Sequence, residues 1–529
     1  MLKDNTRIDL VFQLLFYLLC AFYIIFYMPF GFENTDTGYI FGSSWNIYNG
    51  VFPHGDFIYT RPAIPAFFHT VFLFISETYG YLLDRSFFYV QVFAYSFLGA
   101  KLLAQNFSIS QKSTIYFIAI IGAILSIHNY PPMGWNTIDG VFFCMIGIYL
   151  LLEKDSKIPH LFFGSIILAM GVLSKQSFYF MPVFVFIYFL IKKEYHRLKY
   201  YSLFGIIAIL LYSILKYATD SFFPFWEQTF QRTSSSALID AGIKTYYLAL
   251  KFNFFYLLAA GILIWLASKF ISKKAGFILL NIIIVVYIIT FFTTQNVAWS
   301  VIPYLFQLLW MASAGYALLM VLQDKRFLLV LLLLALSWSA SISNGYRTPI
   351  HFSLPIFFSI YAFFFLNENK RPHAILSSSF IVLYLATFFI GYQTLYRDSS
   401  RKNLDQSMGT VFPQLKFIKS DTETFEKYSE LKFFAKKYPN FTAVPSMTLA
   451  HYLTNTINPI GTDWPHDLEI NHQAQSLVEI LEQKNTFVFV ETSGFNEIEL
   501  EDYQIKSIIE SQWQLIEQGS YFVVYAPAK

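Results

Sequence analysis

Four short stretches hold the residues whose types could do chemistry. The first, GFENTDTGYIFGSSWNIYNGVFPHGDFIYTRP, runs from Gly31 to Pro62 and carries Asp36, Tyr39, Tyr59 and Arg61. The others are HNYPPMGWNTIDG with Asp139, LSKQSFYFMP with Lys175 and SNGYRTPIHF with Arg347. A carboxylate can accept the proton of a hydroxyl. Lone cations can hold a phosphate leaving group and neutralise its charge as it departs. Acids and isolated basics on one face would therefore suit transfer of a sugar from a lipid phosphate to a hydroxyl. Each residue also has a plainer reading. Asp36 and Asp139 could cap helices, Lys175 could snorkel to a membrane interface, and Arg347 could meet a lipid headgroup. His54, His128 and His351 share no i, i+4 spacing, so they make a poor metal set.

The elements that must position these residues are apolar. The chain has 529 residues, 56% hydrophobic and 13% charged, with a mean hydropathy of +0.47. Soluble chains carry about twice that charged fraction. Apolar runs of about 14 to 23 residues recur, most of them long enough with their flanks to cross a hydrocarbon core about 30 Å thick. The runs are continuous rather than alternating, which excludes a spanning β-barrel. A net charge of +3 gives no reason to expect nucleic acid. Cys20 and Cys144 lie inside apolar runs and suggest neither a disulfide framework nor a metal site. The run from Leu10 to Phe30 is too long for a signal peptide and reads as a retained first span.

The runs 10–30, 86–104, 114–128, 139–152, 158–173, 177–191, 199–217, 246–268, 275–294, 300–322, 326–343, 350–366 and 374–395 are expected to cross. The run 63–77 is short, with two prolines and His69, and suits a re-entrant or in-plane helix. If it crossed, almost every later basic loop would move to the outer side, against the positive-inside rule. The expected fold is thus an all-α polytopic membrane protein of about 13 spans. Its amino terminus would face the cytoplasm. Residues 37–49 read as an in-plane helix with Phe41, Trp45 and Tyr48 on one face, suited to the headgroup level. Residues 1–395 would form a transmembrane catalytic domain. Residues 396–529 are polar, and FTAVPSM, TFVFVET and YFVVYAP alternate with helical patterns, so a small extracytoplasmic α/β domain is expected there.

The pattern resembles the GT-C fold glycosyltransferases that use polyprenyl-phosphate sugars, relatives of aminoarabinose transferases and protein O-mannosyltransferases. The matching residues are Asp36, Thr37 and Tyr39, then Gly50 to Pro53, then Arg61 and Pro62. Asp139 in GWNTIDG looks like the family's second acid, GVLSKQSFYFMP like its Leu-x-Lys ending a span, and Arg347 like its arginine before a late helix. The resemblance covers roughly residues 8–395. Thr37 stands where a second acid is usual, which puts a metal-binding pair in doubt, and Arg61 replaces the usual lysine.

The resemblance implies an inverting hexosyl or pentosyl transferase in the cell (inner) membrane. Its donor would be a polyprenyl-monophosphate sugar, and its acceptor a hydroxyl of a lipid, glycan or protein on the outer face. Asp36 would be the general base, and Asp139 would position hydroxyls or share a cation. Lys175, Arg347 and Arg61 would hold the phosphate, with Tyr39 and Tyr59 beside them. No cofactor is implied with certainty, and a divalent metal stays open. Two alternatives remain at this stage. A polysaccharide polymerase or ligase would put its main basic cluster in a large mid-chain loop. A flippase or transporter would show charges within spans and inverted repeats.

Overall fold

The structure is a computed structural model. It describes residues 2–528 apart from 33–34, 128–131, 154–155, 232–239, most of 273–304, 343–397, 468, 471 and 493–502. Arg347, His128 and His351 lie outside the described residues, as do most or all of the expected spans 275–294, 350–366 and 374–395.

The chain is mostly helical with a small carboxy-terminal sheet. Among the described residues, Thr6–Phe26, Gly80–Asn106 and Tyr195–Ala218 are long and apolar enough to cross a membrane. Gly242–Phe255 and Leu258–Ile271 pass only as a bent pair. The other apolar helices are shorter than a clear span, so the described residues do not bear out a count of about 13. One reason is that apolar runs contain helix breaks. The run 177–191 divides into a tight turn, Gln176–Phe180, and a helix, Met181–Lys192, with Pro182 in its first turn.

Helix α1 (Leu2–Phe26) leads into the first loop. Helix α2 (Asp36–Tyr48) opens with an acid in its first turn, where the helix dipole favours it. It stops at Asn49 and Gly50, whose φ of 82° is a conformation glycine adopts without strain. Helix α3 (Ile64–Ile75) starts with Pro65, whose missing N–H costs nothing there. Its 12 residues reach about 18 Å, and it packs along α2. Pro65, Ala66, His69, Thr70 and Leu73 are buried, whereas Val71, Phe74 and Ile75 are exposed. Behind it, α4 (Gly80–Asn106) packs on α5 (Lys112–Ile127) and α6 (Asn136–Leu152), and α6 packs on α7 (Ile158–Val172). Helix α9 (Tyr195–Ala218), which follows α8 (Met181–Lys192), lies on α7.

Arg85 is fully buried. Its guanidinium donates to the Met28 carbonyl at 2.7 Å and to Phe30 O at 3.1 Å. It ties the segment just after α1 to the second turn of α4.

The carboxy-terminal sheet is mixed. Phe441–Val444 runs parallel to Phe487–Glu491, which is antiparallel to Phe522–Ala526. Gln514–Gln518 forms the last edge. Alternation along Phe487–Glu491 explains two covered faces. Val488 and Val490 meet Leu477, Ile505 and Ile509, while Phe489 joins Leu431 and Phe434 on the other side.

This part grips the first loop. Gly31 N donates to Lys419 O at 3.0 Å, and Lys419 N to Pro29 O at 2.7 Å. Trp45 Nε1 donates to Thr456 O at 2.7 Å, and Tyr452 OH to Glu77 O at 2.7 Å. A Cβ on Gly38 would stand 1.7 Å from Thr448 Oγ1, so only glycine lets α2 approach this closely. The aromatic face of α2 was expected at headgroup level. It is covered by protein: Phe41 and Trp45 are buried, with Tyr452 edge-on to them at 5.0 and 5.6 Å.

Candidate active site

Asp36, Arg61 and Lys175 come from three separate elements and share one electrostatic neighbourhood. Asp36 opens α2, Arg61 ends the loop before α3, and Lys175 stands in the turn after α7. Burial and then the positive charge of Arg61 push the Lys175 ammonium down to about 7, with Asp36 pulling the other way. Burial works against the charge of Arg61 too, but Glu469, the two tyrosines and Asp36 more than offset it and hold the guanidinium firmly protonated. Lys175 Nζ donates to Thr137 Oγ1 at 3.2 Å, which ties the turn to α6.

Tyr39 and Tyr59 stack with ring centroids 5.1 Å apart and planes 9° from parallel. The Arg61 guanidinium lies over Tyr39, 4.8 Å from the ring centre, a position that attracts a cation to the ring face. Trp464 meets Tyr39 edge-on at 5.8 Å.

Two groups that the sequence did not reveal hold Arg61. Glu469 forms an ion pair with its guanidinium and accepts from Thr60 Oγ1 at 2.6 Å. Burial raises the Glu469 carboxyl, but Arg61 and Thr60 outweigh it and keep it below the usual carboxylate range. On the backbone side, His54 Nε2–H donates to Arg61 O at 3.0 Å, while His54 Nδ1 accepts from Lys216 Nζ at 2.9 Å. Burial and the nearby ammonium push the His54 imidazole well below its ordinary value, so it stays neutral in that tautomer. Gln176 Nε2 donates to Thr60 O at 2.6 Å.

Asp139 lies elsewhere in the site. It is fully buried, and both of its oxygens are engaged. Gln91 Nε2 donates to Oδ1 at 2.7 Å, and His69 Nε2–H to Oδ2 at 3.0 Å. His69 Nδ1–H donates to Asp84, whose other oxygen accepts from Gly134 N at 3.2 Å. Burial opposes a charged imidazole, but the two carboxylates prevail and keep His69 protonated well above the usual histidine range. The cluster joins α3, α4 and α6.

Among the described residues, the carboxylates of the site other than Asp36 are already committed to partners. Thr37 contributes no charge, Asp139 has both oxygens committed, and Glu469 is paired with Arg61. Among the described residues, no group of three or more His, Cys, Asp or Glu is placed to hold a metal.

Of the residues singled out from sequence, the fold thus gathers Asp36, Tyr39, Tyr59, Arg61 and Lys175. Asp139 is buried behind them, and Arg347 is outside the described residues. Glu469, Gln176, Lys216 and the His69–Asp84 pair were missed. For His69 a signal existed, an imidazole in the middle of an apolar helix. Glu469 sits in a polar stretch with nothing to mark it.

No protein-family model and no curated protein matches this chain. Solved structures do. The chain is similar to ArnT, an aminoarabinose transferase, from Cupriavidus metallidurans in the apo state. Identity is 12%, the TM-score is 0.46, and 97% of each chain is covered. The same protein bound to undecaprenyl phosphate matches at 10% identity and TM-score 0.47, again over 97% of each chain. The archaeal oligosaccharyltransferase AglB from Archaeoglobus fulgidus, in complex with an inhibitory peptide and a dolichol-phosphate, matches at 13% identity and TM-score 0.45. That match covers 99% of this chain and 74% of AglB. These neighbours are of the kind that the sequence resemblance named. With identities of 10–13% and TM-scores below 0.5, the functional reading rests on the site itself.

Proposed function

We propose that this chain is an inverting membrane glycosyltransferase that moves a sugar from a polyprenyl-monophosphate carrier to a hydroxyl on the outer face of the membrane. One arrangement carries the reading: the Arg61 guanidinium lies over Tyr39 in the first turn of the helix that Asp36 opens, and the buried Lys175 feels both Arg61 and Asp36. That combination serves base-assisted displacement of a phosphate.

In this mechanism Asp36 takes the proton of the acceptor hydroxyl. The freed oxygen forms a bond to the anomeric carbon as the bond from that carbon to the phosphate oxygen breaks. The leaving phosphate departs with the electron pair, still attached to its polyprenyl tail. Lys175 and Arg61 stabilise it by charge-assisted hydrogen bonds, with Arg347 as a further candidate. A single displacement inverts the anomeric centre. Tyr39 and Tyr59 orient Arg61 and present an aromatic wall. Asp139 acts at one remove, by fixing His69 and the first turn of α6, since both of its oxygens are already used. The segment 396–529 would form the outer domain that closes over the site and supplies Glu469.

The test is release of polyprenyl phosphate from a labelled polyprenyl-phosphate sugar by the purified protein. Asp36→Asn keeps the shape of the side chain and removes the base. It should lower turnover by about 100-fold or more with normal yield. Lys244→Ala, at an exposed residue paired with Asp240, should leave turnover unchanged. Donor left intact by the wild-type protein, or full activity in the Asp36 variant, would defeat this mechanism.

A further inference from the structure

The first turn of α6 carries a polar side chain that the mechanism above does not use. Asn136 is 1% exposed, and neither its Oδ1 nor its Nδ2 has a hydrogen-bond partner among the described residues. Ser177 is equally buried, and its Oγ also lacks a partner. Buried polar groups are paired in the large majority of cases, and leaving one unpaired forfeits its hydration without return. Asp139, three residues along the same helix, has both oxygens satisfied. Asn136 and Ser177 thus belong to a wider set of buried polar atoms around the site without a partner among the described residues, with Gln91 Oε1 and the Tyr39 and Tyr59 hydroxyls.

The turn that carries Ser177 packs on the start of the helix that carries Asn136. Lys175 Nζ bonds Thr137, the residue after Asn136, and Ser177 follows Lys175 by two positions. The ring of Phe178 lies so close to Gly140 that a Cβ there would be 2.2 Å away, so the 175–178 turn sits directly on the first turns of α6. A phosphate held by Lys175 would stand beside the turn that carries Ser177 and the first turn of α6 that carries Asn136.

We infer that Asn136 and Ser177 form a subsite for the hydroxyl groups of the neutral sugar carried on the donor phosphate. This rests on the donor reading above and adds the part that recognises the sugar. A carboxamide both donates and accepts, as does a hydroxyl, and each matches a sugar hydroxyl that also does both. Neither side chain carries charge, so the pair suits an uncharged polyol ring, while the cations Lys175 and Arg61 take the phosphate.

The experiment compares lipids with and without a sugar on full-length protein in nanodiscs. Binding of undecaprenyl phosphate is measured beside undecaprenyl-phosphate glucose, mannose and galactose. Asn136→Ala and Ser177→Ala should each weaken the best-bound sugar lipid by about tenfold or more, and bare undecaprenyl phosphate by less than about twofold. Ser177→Thr, which keeps a hydroxyl, should restore part of the loss. Lys175→Ala should weaken all four lipids. Thermal midpoints identify any variant that misfolds, and the two sites lie on separate elements, so one can fail without the other. Equal weakening of bare and sugar-bearing lipids, or no change in either, overturns the subsite while leaving the phosphate site standing. If the wild-type protein binds none of the four, the donor reading has failed and the subsite falls with it.

Discussion

Arg61 and Glu469 stand 408 positions apart in the chain and form an ion pair beside the stacked tyrosines. The guanidinium expected to hold a donor phosphate is already neutralised by a carboxylate. An arriving phosphate must compete with Glu469 for it. Glu469→Gln should therefore bind undecaprenyl phosphate more tightly, by about tenfold. It should also lose stability, by about 1–2 kcal/mol rather than the 3–5 typical of a fully buried pair, because the Arg61 side chain keeps 26% exposure. Thermal melts with and without the lipid read both effects, since a tighter ligand gives a larger shift. A smaller ligand shift in the variant would mean that Glu469 helps to hold the donor and does not compete with it.

Lys175 gives a pH signature. Its folded value of about 7 lies below the ordinary lysine value of 10.5. Between the two, the unfolded chain binds the proton more tightly. The contribution of Lys175 to the stability of the empty protein is thus least below pH 7 and recovers as pH rises through that window. Donor binding has the opposite sign, because phosphate selects the protonated form. Lys175→Arg stays charged throughout. The ratio of wild-type to variant Kd for undecaprenyl phosphate should rise about tenfold from pH 6 to pH 8. The titration of the phosphate itself cancels in that ratio. A flat ratio would show that Lys175 does not meet the phosphate.

The His69 cluster should behave as a structural tie. His69→Leu leaves two buried carboxylates facing each other, a change of about 3–5 kcal/mol. A large fall in the thermal midpoint of the purified protein is expected. The double variant His69→Leu, Asp139→Asn should recover part of it. A neutral effect of His69→Leu would remove the cluster from the account of how α3, α4 and α6 are held.

Helix α3 should not cross the membrane. Its 12 residues are short for a span, and Glu77 just beyond it accepts from Tyr452 in the carboxy-terminal part. Single cysteines at Glu77 and Glu426 should both react with an impermeant thiol reagent added from outside. Reaction of Glu77→Cys only after permeabilisation would place the two on opposite sides and break the site apart.

Short local motifs made much of the site legible. Asp36, Arg61 and Lys175 each sit in a brief acidic or basic signature next to an apolar run, and the fold brings them together. The helix at 36–48 followed from its aromatic spacing. What covers that helix did not, because amphipathicity says that a face is buried and not by what. Tyr452 does so from far along the chain. Glu469 was invisible for the same reason. The edge strand Gln514–Gln518 was missed because it is largely exposed and lacks the apolar pattern of an inner strand. Nothing in the sequence marked Arg85 as a buried side chain bound to backbone carbonyls.

The separation between Arg61 and Glu469 also sets an order of events during synthesis. Ribosomes add about 5–20 residues per second, so about 20–80 seconds pass between the emergence of the two partners. For that interval the nascent first loop has its cation without its carboxylate, and the closing face of α2 without Tyr452. The first loop, encoded early, is completed late. A stalled or truncated chain ending before residue 469 would insert its early helices and still present an unsealed, charged loop to the chaperones and proteases of the membrane.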